Sequence, residues 1–132
     1  MKITTWNING VKARLENAVA YLKQESPDVI CFQEIKSVDE GFPRGPFEDL
    51  GYNVETHGQK GFNGVAILSK SRLEDVTRGL PGNDEDPQAR WIEALVPVGR
   101  RMVRVACLYL PNGNPIGTEK FAYKLAWIER LK

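Results

Sequence analysis

Glu34 is well placed to do chemistry, because it closely follows an unbroken apolar run, Val29–Phe32. Four consecutive apolar residues with two β-branched members predict a strand that is buried on both faces. A carboxylate at the end of such a strand is costly to desolvate unless it pairs with a metal or a cation. Ligands also gather at the carboxyl ends of strands in α/β sheets. Glu34 is therefore the first candidate for a metal ligand.

The alternative for Glu34 is an ion pair with Lys36 or with a helix terminus. A hard oxygen ligand suits Mg²⁺, which usually takes one or two carboxylates and keeps several waters. The chain has one histidine, His57, and no His/Cys cluster, so a zinc site is disfavoured. A Ser/His/Asp hydrolase is disfavoured for the same reason. His57 falls within a predicted hairpin, where we expect a surface residue.

Three further polar residues lie at or just after predicted strands. Asn7 ends the first strand, and its amide offers both an acceptor and donors. The alternative for Asn7 is a turn residue that satisfies its own backbone. Tyr109 ends the last strand, where its phenol is suited to donate to a phosphate oxygen, although half-buried core tyrosines are commoner. Asn112 follows in a Pro-Asn-Gly turn and has the same two interpretations, phosphate donor or turn residue.

Two loops carry additional candidates. Arg90 follows a polar, acidic segment, 81–87, and either positions a catalytic group or pairs with a carboxylate of that segment, namely Asp84, Glu85 or Asp86. The glycine-rich segment 58–64 joins two predicted strands and lacks the lysine spacing of a P-loop. We therefore expect a hairpin tip that touches a partner, and not a nucleotide cradle.

The elements that position these residues begin with a strand–helix–strand unit. Residues 2–8 predict a strand, and apolar residues at helical spacing predict a helix from Val11 to Gln24. A second strand is predicted at 28–33. Such strands are parallel with a right-handed crossover, so their carboxyl ends lie at one edge of the sheet. This arrangement places Asn7 near Glu34.

The rest of the chain predicts a glycine- and proline-rich loop, antiparallel hairpins and a closing helix after Thr118. The strand candidates lie at 52–57, 64–69, 73–78, 91–96 and 102–110. Together with the first unit, they predict an α/β fold with a mixed sheet and flanking helices.

Composition sets broad limits. The chain has 132 residues, 42% hydrophobic and 27% charged, which suits one folded domain with a real core. A net charge of +1 gives no global electrostatic case for nucleic acid, although a local patch remains open. Cys31 and Cys107 fall within apolar strand patterns and predict buried free thiols. No run approaches a membrane span and no signal peptide is evident, so we expect a reducing, cytoplasmic setting without a membrane.

Taken in order, five segments resemble the exonuclease III family, the bacterial apurinic/apyrimidinic endonucleases of the endonuclease/exonuclease/phosphatase superfamily. The segments are 6–10 (with Arg14), 33–36, 51–52, 64–69 and 109–113. The set covers nearly the whole chain. Gln33-Glu34-x-Lys36 and Tyr109-x-Pro111-Asn112 favour the DNA-repair branch over the inositol phosphatases and sphingomyelinases.

The resemblance implies the N-terminal half of a four-layered, deoxyribonuclease I-like α/β sandwich, with two sheets face to face and helices outside. It implies Mg²⁺- or Mn²⁺-dependent phosphodiester hydrolysis in DNA repair. The implied partner is double-stranded DNA, with abasic sites or 3′-blocked ends as targets. The full-length enzyme is expected to be a monomer.

The resemblance also implies roles for individual residues. Glu34 would be the metal ligand, and Asn7 would lie in the catalytic hydrogen-bond network close to the metal. Tyr109 would approach the phosphate as a donor or assist the nucleophile. Three residues would contact DNA or phosphate, the last two in support: Asn112, Lys36 and Arg90.

One departure from the family pattern is large. The family carries an Asn-x-Asp segment and a closing Ser-Asp-His in a second half, and neither occurs in residues 1–132. We therefore interpret 1–132 as a single incomplete domain that lacks the general base, the catalytic histidine and further metal ligands. We expect it to be inactive alone and prone to associate through an uncovered sheet face or edge. The alternatives are a non-catalytic DNA- or protein-binding module and a phosphatase of the same superfamily.

Overall fold

Seven strands form two sheets that pack face to face, with helices on the outside. The computed structural model describes all residues from 1 to 132. The first sheet has the strand order β1-β2-β4-β3 and the second β5-β6-β7. In chain order the elements are β1 (Ile3–Asn7), α1 (Leu15–Glu25), β2 (Val29–Gln33), a 3-10 turn (Asp39–Gly41), α2 (Arg44–Glu48), β3 (Asn53–His57), β4 (Val65–Ser69), β5 (Glu74–Arg78), β6 (Trp91–Val98), β7 (Arg101–Leu108) and α3 (Glu119–Leu131).

The first three elements form the predicted parallel unit. β1 and β2 pair in parallel, and Asn7 lies opposite Gln33 in the register. The helix is shorter than predicted, beginning at Leu15 and not at Val11. The reason is a competing backbone bond, because the Val11 amide donates to the Ile35 carbonyl at 3.0 Å. That bond ties the segment before the helix to the segment that follows β2.

β2 is buried on both faces, as its apolar run predicts. Ile30 and Phe32 belong to the core between the first sheet and helices α1 and α2. Val29 and Cys31 belong to the core between the two sheets, together with Cys107 of β7. Both cysteines are buried free thiols, as predicted. The burial of this strand explains why its carboxyl end is held firmly in place.

The predicted hairpins are present and antiparallel. β3 pairs with β4, β5 with β6, and β6 with β7. β4 also pairs with β2, which makes the first sheet mixed. The segment after residue 36, predicted to be a loop, contains a short helix, α2. The glycine and proline residues of this segment had predicted a loop. The formation of α2 follows from apolar packing, since Phe47 is fully buried and lies 5.7 Å from the Phe42 ring, centroid to centroid.

Two edge strands flank a groove between the sheets. β1 is an edge of the first sheet and β7 an edge of the second. The groove between them measures about 380 Å³ and is mostly apolar, with Ile3, Cys31, Val103, Val105 and Leu108 in its lining. Ile3 is 49% exposed and Val103 36% exposed. The expected uncovered region is therefore a pair of adjacent edges.

Helix α3 closes the chain against the loop between β5 and β6. Trp127 is its one buried residue, and it lines a cavity with Leu80 and Trp91. Lys124 packs so closely on Gly113 that a Cβ there would lie 2.5 Å from the lysine Cδ. The helix thus touches the segment that follows β7. None of the helices combines the length and apolar character needed to cross a membrane.

Candidate active site

The candidate residues gather along one rim of the sandwich. β1, β2, β3 and β7 all end there, and the hairpin tip 58–64 connects β3 to β4 at the same edge. Backbone hydrogen bonds connect the segments of the rim. The Gly10 amide donates to the Glu34 carbonyl at 2.8 Å, and the Ile35 amide donates to the Gly64 carbonyl at 3.2 Å. The predicted meeting of strand ends is confirmed.

Glu34 and Tyr109 are in direct contact across the two sheets. The Tyr109 hydroxyl donates to Glu34 Oε1 at 2.7 Å, and both side chains are partly buried. Burial and this hydrogen bond raise the pKa of the Tyr109 phenol above its usual value. The phenol therefore keeps its proton at neutral pH and acts as a donor. Glu34 forms no ion pair with any lysine or arginine, so the alternative of a Glu34–Lys36 pair is wrong.

The backbone at Glu34 adopts a conformation that a glutamate rarely takes. Its φ is +53°, and Asn9, Lys36 and Asn63 of the neighbouring rim segments also have positive φ values of +48°, +52° and +57°. Such conformations cost on the order of 1 kcal/mol or more and persist only where the surroundings enforce them. Four of the six non-glycine residues with positive φ lie at this rim. Strain is concentrated where the candidate chemistry is.

Gly64 makes this geometry of the Glu34 segment feasible. Its φ is +91°, and a Cβ built there would lie 2.5 Å from Cγ1 of Ile35. Only glycine satisfies both the conformation and the close approach. Since Gly64 accepts from the Ile35 amide, it holds the residue directly after Glu34.

Asn7 stands at the end of β1, exposed at the rim, beside the strand that leads to Glu34. Its Oδ1 accepts from the Asn9 amide at 3.2 Å, which is the turn role considered as the alternative. A carboxamide oxygen has a second lone pair, and the Asn7 Nδ2 donates to no protein atom. The turn bond and a ligand role are therefore compatible.

The three predicted DNA-contacting residues behave differently from one another. Lys36 is exposed and donates from Nζ to Asn9 Oδ1 at 2.5 Å, on the same rim. Asn112 is exposed in the turn after β7, where it borders a hollow shared with Tyr123 of α3. Arg90 is half-buried. The structure thus brings Glu34, Tyr109, Asn7 and Lys36 to the rim directly.

Arg90 packs on the ring of Tyr109. Its guanidinium carbon lies 5.0 Å from that ring's centroid, and its Nη1 donates to the Tyr109 carbonyl at 3.3 Å. It forms no ion pair with the acidic loop, so the alternative of a bridge to Asp84, Glu85 or Asp86 is wrong. Asp86 pairs instead with Arg130 at 2.9 Å.

His57 is half-buried at the end of β3, and not a plain surface residue as predicted. Burial lowers its pKa, so the imidazole is neutral at pH 7. It lines a polar cavity of about 330 Å³ together with Arg78, Arg90 and Trp91. A neutral His57 contributes no positive charge to the rim.

The hairpin tip 58–64 presents one aromatic side chain to solvent. Phe62 is 61% exposed, and Lys60 beside it is also exposed. The tip itself is anchored, since Gln59 Oε1 accepts from Asn63 Nδ2 at 3.1 Å and from the Ala89 amide at 2.6 Å. An exposed aromatic residue on an anchored tip suits contact with a partner.

Sequence reasoning missed several residues that organise the rim. Gln59 joins the hairpin tip to the segment carrying Arg90, and Tyr123 packs on Arg90 from α3. Neither carries a sequence signal, because each acts through a contact between distant segments. Gly64 did carry one, since an isolated glycine beside a strand suggests close backbone approach.

The site therefore offers one carboxylate free of cationic partners, one carboxamide and one protonated phenol. No group of three or more His, Cys, Asp or Glu residues in the chain could hold a metal ion. The arrangement can hold a hard cation with few protein ligands and can donate to an anionic oxygen.

The architecture is that of a two-sheet α/β sandwich with a polar rim, and comparison with known proteins agrees. A model of the Endonuclease/Exonuclease/phosphatase family matches residues 4–131. Exodeoxyribonuclease III of Haemophilus influenzae is 43% identical over 114 residues, which cover 86% of this chain and 43% of that protein.

Two solved structures share the fold closely. A 3′ phosphatase from Neisseria bound to a product DNA hairpin matches with a TM-score of 0.94 and 40% identity, over 99% of this chain and 49% of that one. An AP endonuclease from Archaeoglobus fulgidus matches with a TM-score of 0.91 and 41% identity, over 99% and 49%.

This chain belongs to the endonuclease/exonuclease/phosphatase family. The resemblance to exonuclease III and the deoxyribonuclease I-like fold class are confirmed. The chain spans about half the length of the relatives it matches.

Proposed function

We propose that residues 1–132 carry the metal-binding and phosphate-orienting part of a divalent-metal-dependent DNA phosphodiesterase of DNA repair. The observation that carries this proposal is the 2.7 Å hydrogen bond from Tyr109 to Glu34 at a rim where Asn7 also ends its strand. It gives a carboxylate without a cation next to a protonated donor. Those are two of the groups that metal-assisted cleavage of a phosphate ester uses.

The Glu34 carboxylate fits a hard divalent cation. It is partly buried, it accepts from Tyr109, and no protein cation neutralises it. Mg²⁺ or Mn²⁺ would be held by Glu34, with Asn7 as a further ligand or a neighbour, and waters would complete its coordination. When bound, the ion would neutralise negative charge on the phosphate and the leaving oxygen.

The chain's own residues would orient the phosphate. The Tyr109 phenol is protonated at neutral pH, and Glu34 accepts its single proton in this structure. Once a cation takes up that carboxylate, the hydroxyl would turn to donate to a non-bridging oxygen, where charge develops during cleavage. The Asn7 Nδ2, which donates to no protein atom, is a further donor at the same rim. Deprotonating the attacking water needs a base from outside residues 1–132.

The substrate we propose is double-stranded DNA with abasic sites or 3′-blocked ends. The support is the description of the relatives, an AP endonuclease and a 3′ phosphatase bound to a product DNA hairpin. Lys36 and Asn112 are exposed at or beside the rim and would contact the phosphate backbone. Arg90 would support this surface through Tyr109, and the tip at Phe62 would extend it.

We further propose a cytoplasmic setting and a monomeric full-length enzyme. Two free buried thiols suit a reducing compartment.

Glu34→Gln in the full-length protein tests the metal site. We expect DNA cleavage in Mg²⁺ to fall by at least about 100-fold, and Mn²⁺ binding measured by calorimetry to weaken as well. Glu25→Gln, at an exposed glutamate that pairs with Lys2 at the opposite end of β1, is the control and should leave both unchanged. Undiminished cleavage and Mn²⁺ binding in Glu34→Gln would overturn the proposal.

The purified chain 1–132 tests the need for a missing base. We expect no cleavage of an abasic-site duplex in Mg²⁺. Turnover that Glu34→Ala abolishes would show that residues 1–132 suffice for catalysis. Salt-dependent DNA binding by the full-length protein without any cleavage would instead identify a binding module.

A further inference from the structure

Arg90 is enclosed by two tyrosine rings from different parts of the chain. Its guanidinium carbon lies 5.0 Å from the Tyr109 centroid and 5.6 Å from the Tyr123 centroid. Its Nε donates to Gln88 Oε1 at 2.8 Å, and its Nη1 donates to the Tyr109 carbonyl. Cation–π contacts with two rings and two hydrogen bonds leave this guanidinium little freedom.

The ring of Tyr123 is itself fixed from behind. Its hydroxyl donates to Asp86 Oδ2 at 2.7 Å, and the same oxygen accepts from Arg130 Nη1 at 2.9 Å. Arg130 Nη2 also donates to the Leu80 carbonyl at 2.8 Å. The side chains of Asp86 and Arg130 are only 5% and 15% exposed. A buried, hydrogen-bonded ion pair of this kind holds the helix and the loop in one arrangement.

These contacts connect helix α3 to the candidate metal ligand. The order is Arg130, Asp86, Tyr123, Arg90, Tyr109 and Glu34, and each member touches the next. The segment carrying Tyr109 is also tied to that of Arg90 through the backbone, since the Tyr109 amide donates to the Arg90 carbonyl at 2.9 Å. A displacement of Arg90 would therefore also displace the Tyr109 phenol.

We propose that Tyr123 is a positioning residue, which holds Arg90 against Tyr109 and so fixes the position from which the Tyr109 hydroxyl contacts Glu34 and, once a cation holds that carboxylate, the phosphate. The inference rests on the proposed function for its effect on cleavage. What matters is the aromatic face of Tyr123, because that face touches Arg90. The hydroxyl of Tyr123 serves the contact with Asp86.

Substitutions in the full-length protein distinguish the effect of the Tyr123 ring face from that of the Tyr123 hydroxyl. Tyr123→Phe keeps the ring, and we expect kcat for cleavage of abasic-site DNA within about threefold of wild type. Tyr123→Leu removes the ring, and we expect kcat to fall by about 10-fold or more with little change in KM, because misplacing a donor impairs the transition state. Tyr21→Leu, at a half-buried tyrosine of helix α1 that contacts Thr4 of β1, is the matched control and should not change kcat.

A double-mutant cycle tests the route of the effect. If Tyr123 acts through Tyr109, the loss caused by Tyr123→Leu should largely disappear in a Tyr109→Phe background. A full and additive loss in that background would overturn the proposal. So would equal loss of kcat in Tyr123→Phe and Tyr123→Leu, or a loss that follows thermal stability alone.

An NMR readout keeps this test independent of catalysis. The Arg90 Nε–H resonance should be nearly the same in wild type and in Tyr123→Phe, because the guanidinium keeps its contacts with both rings. In Tyr123→Leu we expect this resonance to shift and the proton to exchange faster with water. An inactive wild type with this pattern would contradict the proposed function only, whereas an Arg90 signal unaffected by Tyr123→Leu would overturn the positioning role.

Discussion

The Tyr109 hydroxyl donates to Glu34 Oε1 at 2.7 Å, although the two residues are 75 positions apart and lie at the ends of strands in different sheets. The bond crosses the sandwich where its inner core reaches the rim. Directly behind it, the buried Cys107 thiol donates to the Phe32 carbonyl at 3.3 Å. Sheet packing, more than any loop, therefore places the phenol on the carboxylate.

Tyr109→Phe should impair catalysis far more than folding. The ring remains packed against Arg90, and only one charge-assisted hydrogen bond is lost, worth about 1–3 kcal/mol. In the full-length protein we expect kcat for DNA cleavage to fall by about 100-fold, as for other single donors at a developing oxyanion. Steady-state kinetics and thermal denaturation measure the two effects. Tyr21→Phe, which loses a hydrogen bond to Thr4, is the control; equal kcat in the two variants would contradict the prediction.

Stability should decline on the alkaline side because three tyrosines prefer to stay protonated in the fold. Burial is the main cause that raises the pKa of Tyr52, Tyr109 and Tyr123. Above the unfolded value of about 10 the unfolded chain loses these protons first, so stability present below that pH is lost as pH rises through the folded pKa values. Urea denaturation midpoints, determined from about pH 8 to about pH 12, measure the decline in stability. Tyr123→Phe should flatten it, and an unchanged slope would count against the assignment.

The sequence predicted the parts of the rim that depend on strand order and strand ends. Glu34 and Asn7 followed from a buried apolar run and a parallel crossover, both of which are local patterns. The position of Tyr123 against Arg90 depends on how α3 meets a loop thirty or more residues earlier, and no local pattern encodes that. Helix α2 was missed because Phe47 stabilises it by burial while Gly45 and Pro46 hide it.

Gly64→Ala should destabilise the protein more than Gly61→Ala. Both glycines have positive φ, +91° and +83°, which costs an alanine about 1–2 kcal/mol. At Gly64 the added Cβ would also meet Ile35 Cγ1 at 2.5 Å, whereas at Gly61 nothing lies within 4 Å. Overpacking adds about 1–3 kcal/mol. Urea denaturation of the two variants measures the difference; equal losses would show that Ile35 moves aside freely.

Asp86→Asn should show how much the buried ion pair with Arg130 contributes to the free energy of unfolding. Burial opposes the charge, but hydrogen bonds from Arg130, the Gln88 amide and Tyr123 hold the pKa of Asp86 below its usual value. Its stability contribution is thus present above pH about 3.9 and is lost as pH falls through the folded pKa.

At pH 7 we expect Asp86→Asn to cost about 3 kcal/mol, because Arg130 keeps a buried charge without its partner. The deficit relative to wild type should shrink as the pH falls below about 3.9 and through the lowered folded pKa of Asp86. Asp84→Asn, at an exposed aspartate, is the control for the removal of one negative charge. A deficit that stays constant with pH would mean that the carboxylate charge is not what matters.

Residues 1–132 alone should self-associate through the groove between β1 and β7. Both strands present unpaired backbone groups, and Ile3 and Val103 expose apolar surface beside them. Such edges recruit further strands unless charge or cover prevents it. Light scattering should show species larger than one chain, and Val103→Lys should shift them toward the monomer. Ile116→Lys, at a more exposed apolar residue in a loop, should not. A wild-type chain that scatters as a stable monomer would show that these edges are already protected.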